Sequence, residues 1–279
     1  MQDLPSTSLA PPPEGTFERW AWDYVVTTEL AHKLAPPPLP ASSADEASAW
    51  EPEVRSRRAL RPGRPASLVP AAKKPKTPTG GALRDPHKRA QLLHVFLHHE
   101  LQAAELFAWA SLTFVDAPRA LRLGWLKLAL DEARHMRLYA DELARLDHAF
   151  GDFPVRDWFW ERVPACESAL SFLALVGVGF EGGNLDHGAR FAAMLEASGD
   201  AQAAAVERRV AEEEIAHVRF AVRWLARLGG ALEPFEAFRA LLPPPLTPTV
   251  LRGAPIARDA RLEAGLPGAF VDALGTWTP

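Results

Sequence analysis

Cysteine is all but missing from this chain: Cys166 is the single one in 279 residues. A lone thiol excludes an intramolecular disulfide framework and leaves no thiolate cluster for zinc or iron–sulfur chemistry. Long apolar runs are missing too, so no stretch reaches bilayer-spanning length. The polar, proline-rich segment Met1 to Gly15 does not read as a signal peptide. The cytoplasm is therefore the expected location, with no membrane partner. Proline crowds both ends, but between about His87 and Leu228 it occurs only at Pro118, Pro154 and Pro164. Proline breaks helix interiors, so this distribution predicts one long helical region with irregular flanks.

An excess of positive charge is also lacking. The net charge of −4 and pI near 6.2 give no general reason to expect nucleic acid as a partner. One local exception is the segment holding Arg55, Arg57, Arg58, Arg61, Arg64, Lys73, Lys74 and Lys76. Its simplest reading is a solvated basic arm lying on an acidic helical body.

What the chain does have is a repeated pairing of glutamate and histidine. Glu132 and His135 stand three residues apart, and Glu214 and His217 repeat the spacing. Each pair follows a lone glutamate by nearly the same interval, 32 residues from Glu100 to Glu132 and 33 from Glu181 to Glu214. A bare Glu-x-x-His string is weak: 21 glutamates and 9 histidines supply roughly 0.7 of them by chance. Glu29 and His32 form a third copy without an upstream glutamate, and we read it as noise. The duplicated interval carries the argument, because it is what one helix-turn-helix unit used twice would produce.

Helical periodicity places these residues. From Asp85 a first helix carries Leu93, Phe96, Leu97, Ala103, Ala104 and Phe107 on one stripe with Glu100. A second, from about Arg119 to Phe150, carries Leu121, Trp125, Leu128, Glu132, His135 and Tyr139. A third begins near Cys166 and includes Leu170, Ala174, Val178, Glu181, Leu185 and Phe191. The fourth spans about Asp200 to Leu228, with Val210, Glu214, His217, Ala221 and Trp224. Short loops within each hairpin make neighbours antiparallel, so both halves present their acids at one level. The expected fold is all-α, an antiparallel four-helix bundle over residues 85–230. A proline-rich extension over residues 1–84, with a short helix near 15–34, precedes it, and an extension over 231–279 follows.

Glutamate and histidine at positions that want hydrocarbon cost several kcal/mol unless compensated. Two metal ions would compensate them. Oxygen-rich ligation with one imidazole per ion suits iron or manganese and leaves coordination positions open. Glu132 and Glu214 would bridge, Glu100 and Glu181 would be terminal, and His135 and His217 would serve one ion each. Asp131 and Glu213, four residues before the histidines, are candidate partners for imidazole N–H groups or plain surface acids. Tyr139 is a candidate for hydrogen bonding to a ligand or a packed aromatic. Glu105, some 140° around the helix from Glu100, is a weaker ligand candidate. His94, His98 and His99 read as surface or packing residues. Gly177, Gly179, Gly182 and Gly183 crowd Glu181, which predicts either a π-bulge beside the metals or close helix packing. Trp158, Phe159 and Trp160, in the long connection from Gly151 to Pro164, would cap the core or face a partner.

Several ordered segments carry a family resemblance: Arg61 to Pro65, His99-Glu100 to Glu105, Asp131 to His135, Phe150 to Asp152, Glu181 to Asp186, and Glu213 to Val218. The run from about Arg61 to Gly230 resembles the ferritin-like family catalogued as domain of unknown function 455. That resemblance implies a ferritin-like bundle with a di-metal centre. The family pattern has an arginine where this chain has Gly183, so no role of that arginine is carried over. The family is named for its unknown activity, so it implies a site without a reaction.

The expected function is dioxygen-dependent oxidation of a small organic substrate at two metal ions, iron first, with manganese or a mixed pair as alternatives. No catalytic residue is assigned. A tRNA-modifying hydroxylase, supported by the basic arm, and a non-enzymatic iron-handling protein or metal-stabilised scaffold are the alternatives. Expected partners are the substrate and dioxygen, with nucleic acid not expected and a homodimer as the candidate assembly.

Overall fold

The computed structural model describes residues 10–42, 45–53, 55–71 and 77–279, and its regular structure is helical. One isolated bridge, between Pro70 and Val155, is the extended pairing found among the described residues. The helices are α1 (Phe17–Val26), α2 (Leu30–Leu34), α3 (Pro86–Thr113), α4 (Arg119–Arg145), α5 (Ala169–Phe172), α6 (Glu181–Ala197), α7 (Ala201–Arg227), α8 (Phe235–Arg239), α9 (Arg258–Glu263) and α10 (Gly268–Thr276). A π-helical segment, Leu173–Phe180, joins α5 to α6 without a break.

Local chemistry accounts for the boundaries. Pro86 opens α3, where a missing N–H is harmless, and the Asp85 carboxylate accepts the His87 N–H at 3.0 Å. Ser168 and Asp200 cap α5 and α7 through the N–H groups of Ser171 and Ala203. Gly199 ends α6 at φ +89°, a conformation in which a Cβ would be strained. The second long helix stops at Arg145, short of the predicted Phe150. Asp147 takes a left-handed φ of 59°, and the His148 N–H returns to the Leu143 carbonyl.

The chain divides into two compact units, residues 1–66 with 103–134 and residues 67–102 with 135–279, so α3 and α4 each contribute to both. The first unit is organised around buried ion pairs. Lys33 Nζ reaches Glu105 at 2.8 Å and the Tyr24 and Val25 carbonyls, and Arg64 pairs with the same glutamate. Arg57 is buried against Glu51, and Arg58 lies over Trp109 and Phe114. The predicted solvated arm is corrected at two positions: Arg57 is buried against Glu51 and Arg64 packs on buried Glu105, while Arg55 and Arg61 are exposed. Lys73, Lys74 and Lys76 lie outside the described residues. Glu105 is held by Lys33 and Arg64 and joins neither candidate metal group among the described residues.

In the second unit, the first part of α3, the end of α4, the α5–π–α6 run and α7 supply the core. Phe96 packs on Tyr139 and Phe191 at 5.6 and 5.1 Å. Asp200 gathers Arg89 and Arg145 at 2.9 and 2.8 Å. Beyond α7 the chain returns to α6, where buried Asp186 accepts the N–H groups of Gly253 and Ala257 and pairs with buried Arg261 at 2.8 Å. The aromatic connection is packed inward: Phe159 stacks on Phe180 at 4.8 Å, and Trp160 is buried.

Candidate metal centre

Six side chains picked out by the duplicated spacing come together. Glu100 lies on α3, Glu132 and His135 on α4, Glu181 directly after the π segment, and Glu214 and His217 on α7. Glu132 stands one turn before His135 on the same unbroken helix. All six are buried, Glu132, His135 and Glu214 completely. They form two groups whose ligand atoms lie within 4.8 Å of one another: Glu100, Glu132, His135 and Glu214, and Glu132, Glu181, Glu214 and His217. Glu132 and Glu214 are common to both groups, and each group has its own histidine and its own further glutamate.

The imidazoles are oriented. His135 turns Nδ1 toward Glu214 and Glu100, at 3.4 and 3.6 Å, while Nε2 is 2.8 Å from Glu213. Glu213, on α7, thus reaches across to the histidine of α4. Asp131, its counterpart in sequence, lies 3.6 Å from Arg134 and is nearly half exposed. His217 Nδ1 is 2.8 Å from Glu214. Glu181 accepts the Asn184 side-chain amide at 3.2 Å.

The π segment explains how Glu181 is reached. Widening a helical turn by one residue rotates everything beyond it about the axis, and Glu181 is the first residue after the segment. The glycine cluster combines the two geometries expected of it, a widened turn and a close helix contact. The π winding is present, and a Cβ at Gly177 would collide with Ala221 of α7.

Two further residues complete the surroundings. Tyr139 is buried and its hydroxyl donates to Glu207 Oε2 at 2.7 Å. Burial pushes the Glu207 carboxyl up to about 8, aided by the charge of Glu214 and opposed by the tyrosine hydrogen bond. Burial and the nearby carboxylates likewise hold the Tyr139 hydroxyl well above its ordinary range. Glu207 was not anticipated. It lies seven residues, two turns, before Glu214 on the same stripe, and that register is the signal that would have found it.

A chamber of about 280 Å³ adjoins the cluster and is lined by Glu100, Glu214, Tyr139, Phe96 and Phe191 among others. A second, of about 320 Å³, lies among His94, His98, Trp158, Phe159 and Phe180 and shares His99, Asn184 and His187 with the first. His94 and His98 are buried, as a packing role requires, whereas His99 borders both chambers. Desolvation pulls His99 down to about 3, so its imidazole is neutral. Glu29 is exposed, and neither it nor His32 joins a candidate metal group.

The donor set fits divalent metal. Four carboxylates and two imidazoles withdrawn from water at this spacing are costly as bare charges, and two divalent ions would bring the set close to neutrality. Residues 25–272 match the profile of the family described as "Protein of unknown function (DUF455)", and the chain belongs to that family. No curated protein and no solved structure matches it. Its members are here represented by an all-helical protein with buried glutamate and histidine groups able to hold a metal ion. Among the described residues, no helix is long and apolar enough to cross a membrane.

Proposed function

We propose that residues 85–230 form a ferritin-like antiparallel four-helix bundle holding two metal ions, iron first, and that the protein is a dioxygen-dependent oxidoreductase acting on a small organic substrate. The observation that carries this reading is the pair of donor groups with two shared glutamates. It supports Glu132 and Glu214 as residues that would hold both ions, with Glu100 and His135 holding one and Glu181 and His217 the other. Bound iron would supply redox chemistry that no side chain offers.

The chain's own residues do the rest. The carboxylates neutralise the ions, and Glu213 fixes the tautomer and tilt of His135 by taking its Nε2 proton in a hydrogen bond. The Tyr139 hydroxyl donates to Glu207 beside the chamber and orients its carboxyl. Phe96 and Phe191 exclude water from the space where a substrate would lie.

Elemental analysis of the purified protein should find about two ions per chain, and adding Fe(II) should consume dioxygen. Organic product formation separates an oxygenase or oxidase from a ferroxidase, which would give ferric iron alone. Glu132→Ala and His217→Ala should each lose bound metal while keeping a helical circular dichroism spectrum. Full occupancy in both variants would refute the ligand assignment.

A further inference from the structure

Arg190 lines the chamber beside the cluster together with Glu100, Glu207 and Glu214, yet among the described residues it is ion-paired with none of them. Its contacts are Nη2 on His187 Nδ1 at 3.1 Å and its guanidinium over the Phe191 ring at 4.7 Å. Its Nε is buried without a hydrogen-bond partner. Arg57, Arg122 and Arg261 each meet a carboxylate within 2.8 Å, whereas half-buried Arg190 meets none among the described residues. His187 offers Arg190 no charge: it accepts through Nδ1, and burial lowers its affinity for a proton. A planar fork of donors therefore borders an apolar chamber with anion-binding capacity in reserve.

We infer that Arg190 anchors the carboxylate of a small monoanionic organic acid whose apolar body lies along Phe96, Phe191 and Val210. Calling this acid the substrate rests on the metal-centre reading above; the anchor itself does not. A cavity of about 150 Å³ accepts benzene, so 280 Å³ admits roughly ten non-hydrogen atoms. A dianion such as a phosphate ester fits poorly, since one guanidinium faces it and three glutamates share the chamber.

Calorimetric titration of the full chain, metal-loaded and metal-free, with hexanoate, benzoate, their uncharged amides and phenyl phosphate tests the inference. Each acid should bind about ten-fold or more tighter than its amide, the worth of a charge-assisted pair. Arg190→Ala and the near-isosteric Arg190→Gln should bring acid and amide to about equal affinity with the amide unaffected, and Arg190→Lys should restore part of the difference. Equal affinity in the wild type, a preference for phenyl phosphate, or an acid preference that survives Arg190→Ala would each overturn the anchor, the last because the ions would then be holding the carboxylate. Metal content measured on the same samples separates the two readings. A chain that takes up no Fe(II) or Mn(II) yet keeps an Arg190-dependent preference sinks only the metal centre, and protein with two ions and no preference sinks only the anchor.

Discussion

His94 shows how single residues in this protein are held in one protonation state. Its Nε2 accepts the Gly151 N–H at 2.9 Å and its ring lies against Phe150 and Phe153, so protonation would break a hydrogen bond in a desolvated place. Burial pulls its pKa from 6.5 to about 4. A base with a lowered folded pKa contributes stability that is present above the unfolded value and lost as pH falls through the folded one. The denaturation midpoint should therefore drop between pH 6.5 and about 4, and His94→Gln, which accepts but does not titrate, should flatten that drop. Identical pH slopes in the two proteins would contradict this account. At the same scale, Glu213 and Asp131 occupy equivalent sequence positions, yet Glu213 meets the buried His135 imidazole while Asp131, nearly half exposed, faces Arg134.

Among the long helices described, the α5–π–α6 run contains a π-helical segment. Four glycines in seven residues weaken an ordinary helix, each by about 0.8–1 kcal/mol relative to alanine. Their lack of side chains also admits close neighbours. Gly177 faces Ala221 of α7, so Gly177→Ala must force the two elements apart. Overpacking of this kind costs about 1–3 kcal/mol, which urea unfolding would register as a lower midpoint. Because α7 carries Glu214 and His217, the same variant should weaken metal retention. A variant as stable and as well loaded as the wild type would show that the contact yields without consequence.

For the whole molecule, two bound ions would tie stability to occupancy through the buried acids. A ligand that binds only the folded state at a hundred times its Kd adds about 2.7 kcal/mol, or roughly 5–10 °C in Tm for a chain of this size. Chelation should lower the melting temperature by about that much, and Fe(II) or Mn(II) should restore it. A melting curve indifferent to both would mean that the cluster is stable without metal. Glu132→Ala should remove most of the metal response, since its carboxylate belongs to both donor groups.

Much of this protein was legible in one dimension. Apolar spacing announced the four long helical stretches. The doubled interval between a lone glutamate and a Glu-x-x-His pair selected the six clustered side chains, because a 3.6-residue period places i and i+3 on one face whatever packs against it. Packing decided what local pattern does not encode. The basic arm reads as solvated until Glu51 and Glu105 are seen beside Arg57 and Arg64, 6 and 41 residues away in sequence. Glu207, Glu213 and Arg190 look like ordinary helix polar residues, and only the neighbours brought to them make one the acceptor of the Tyr139 hydroxyl, one the support of His135 and one a guanidinium without a carboxylate among the described residues. Helical period determines which side chains share a face; desolvation and partner choice depend on distances between segments, which only the folded chain sets.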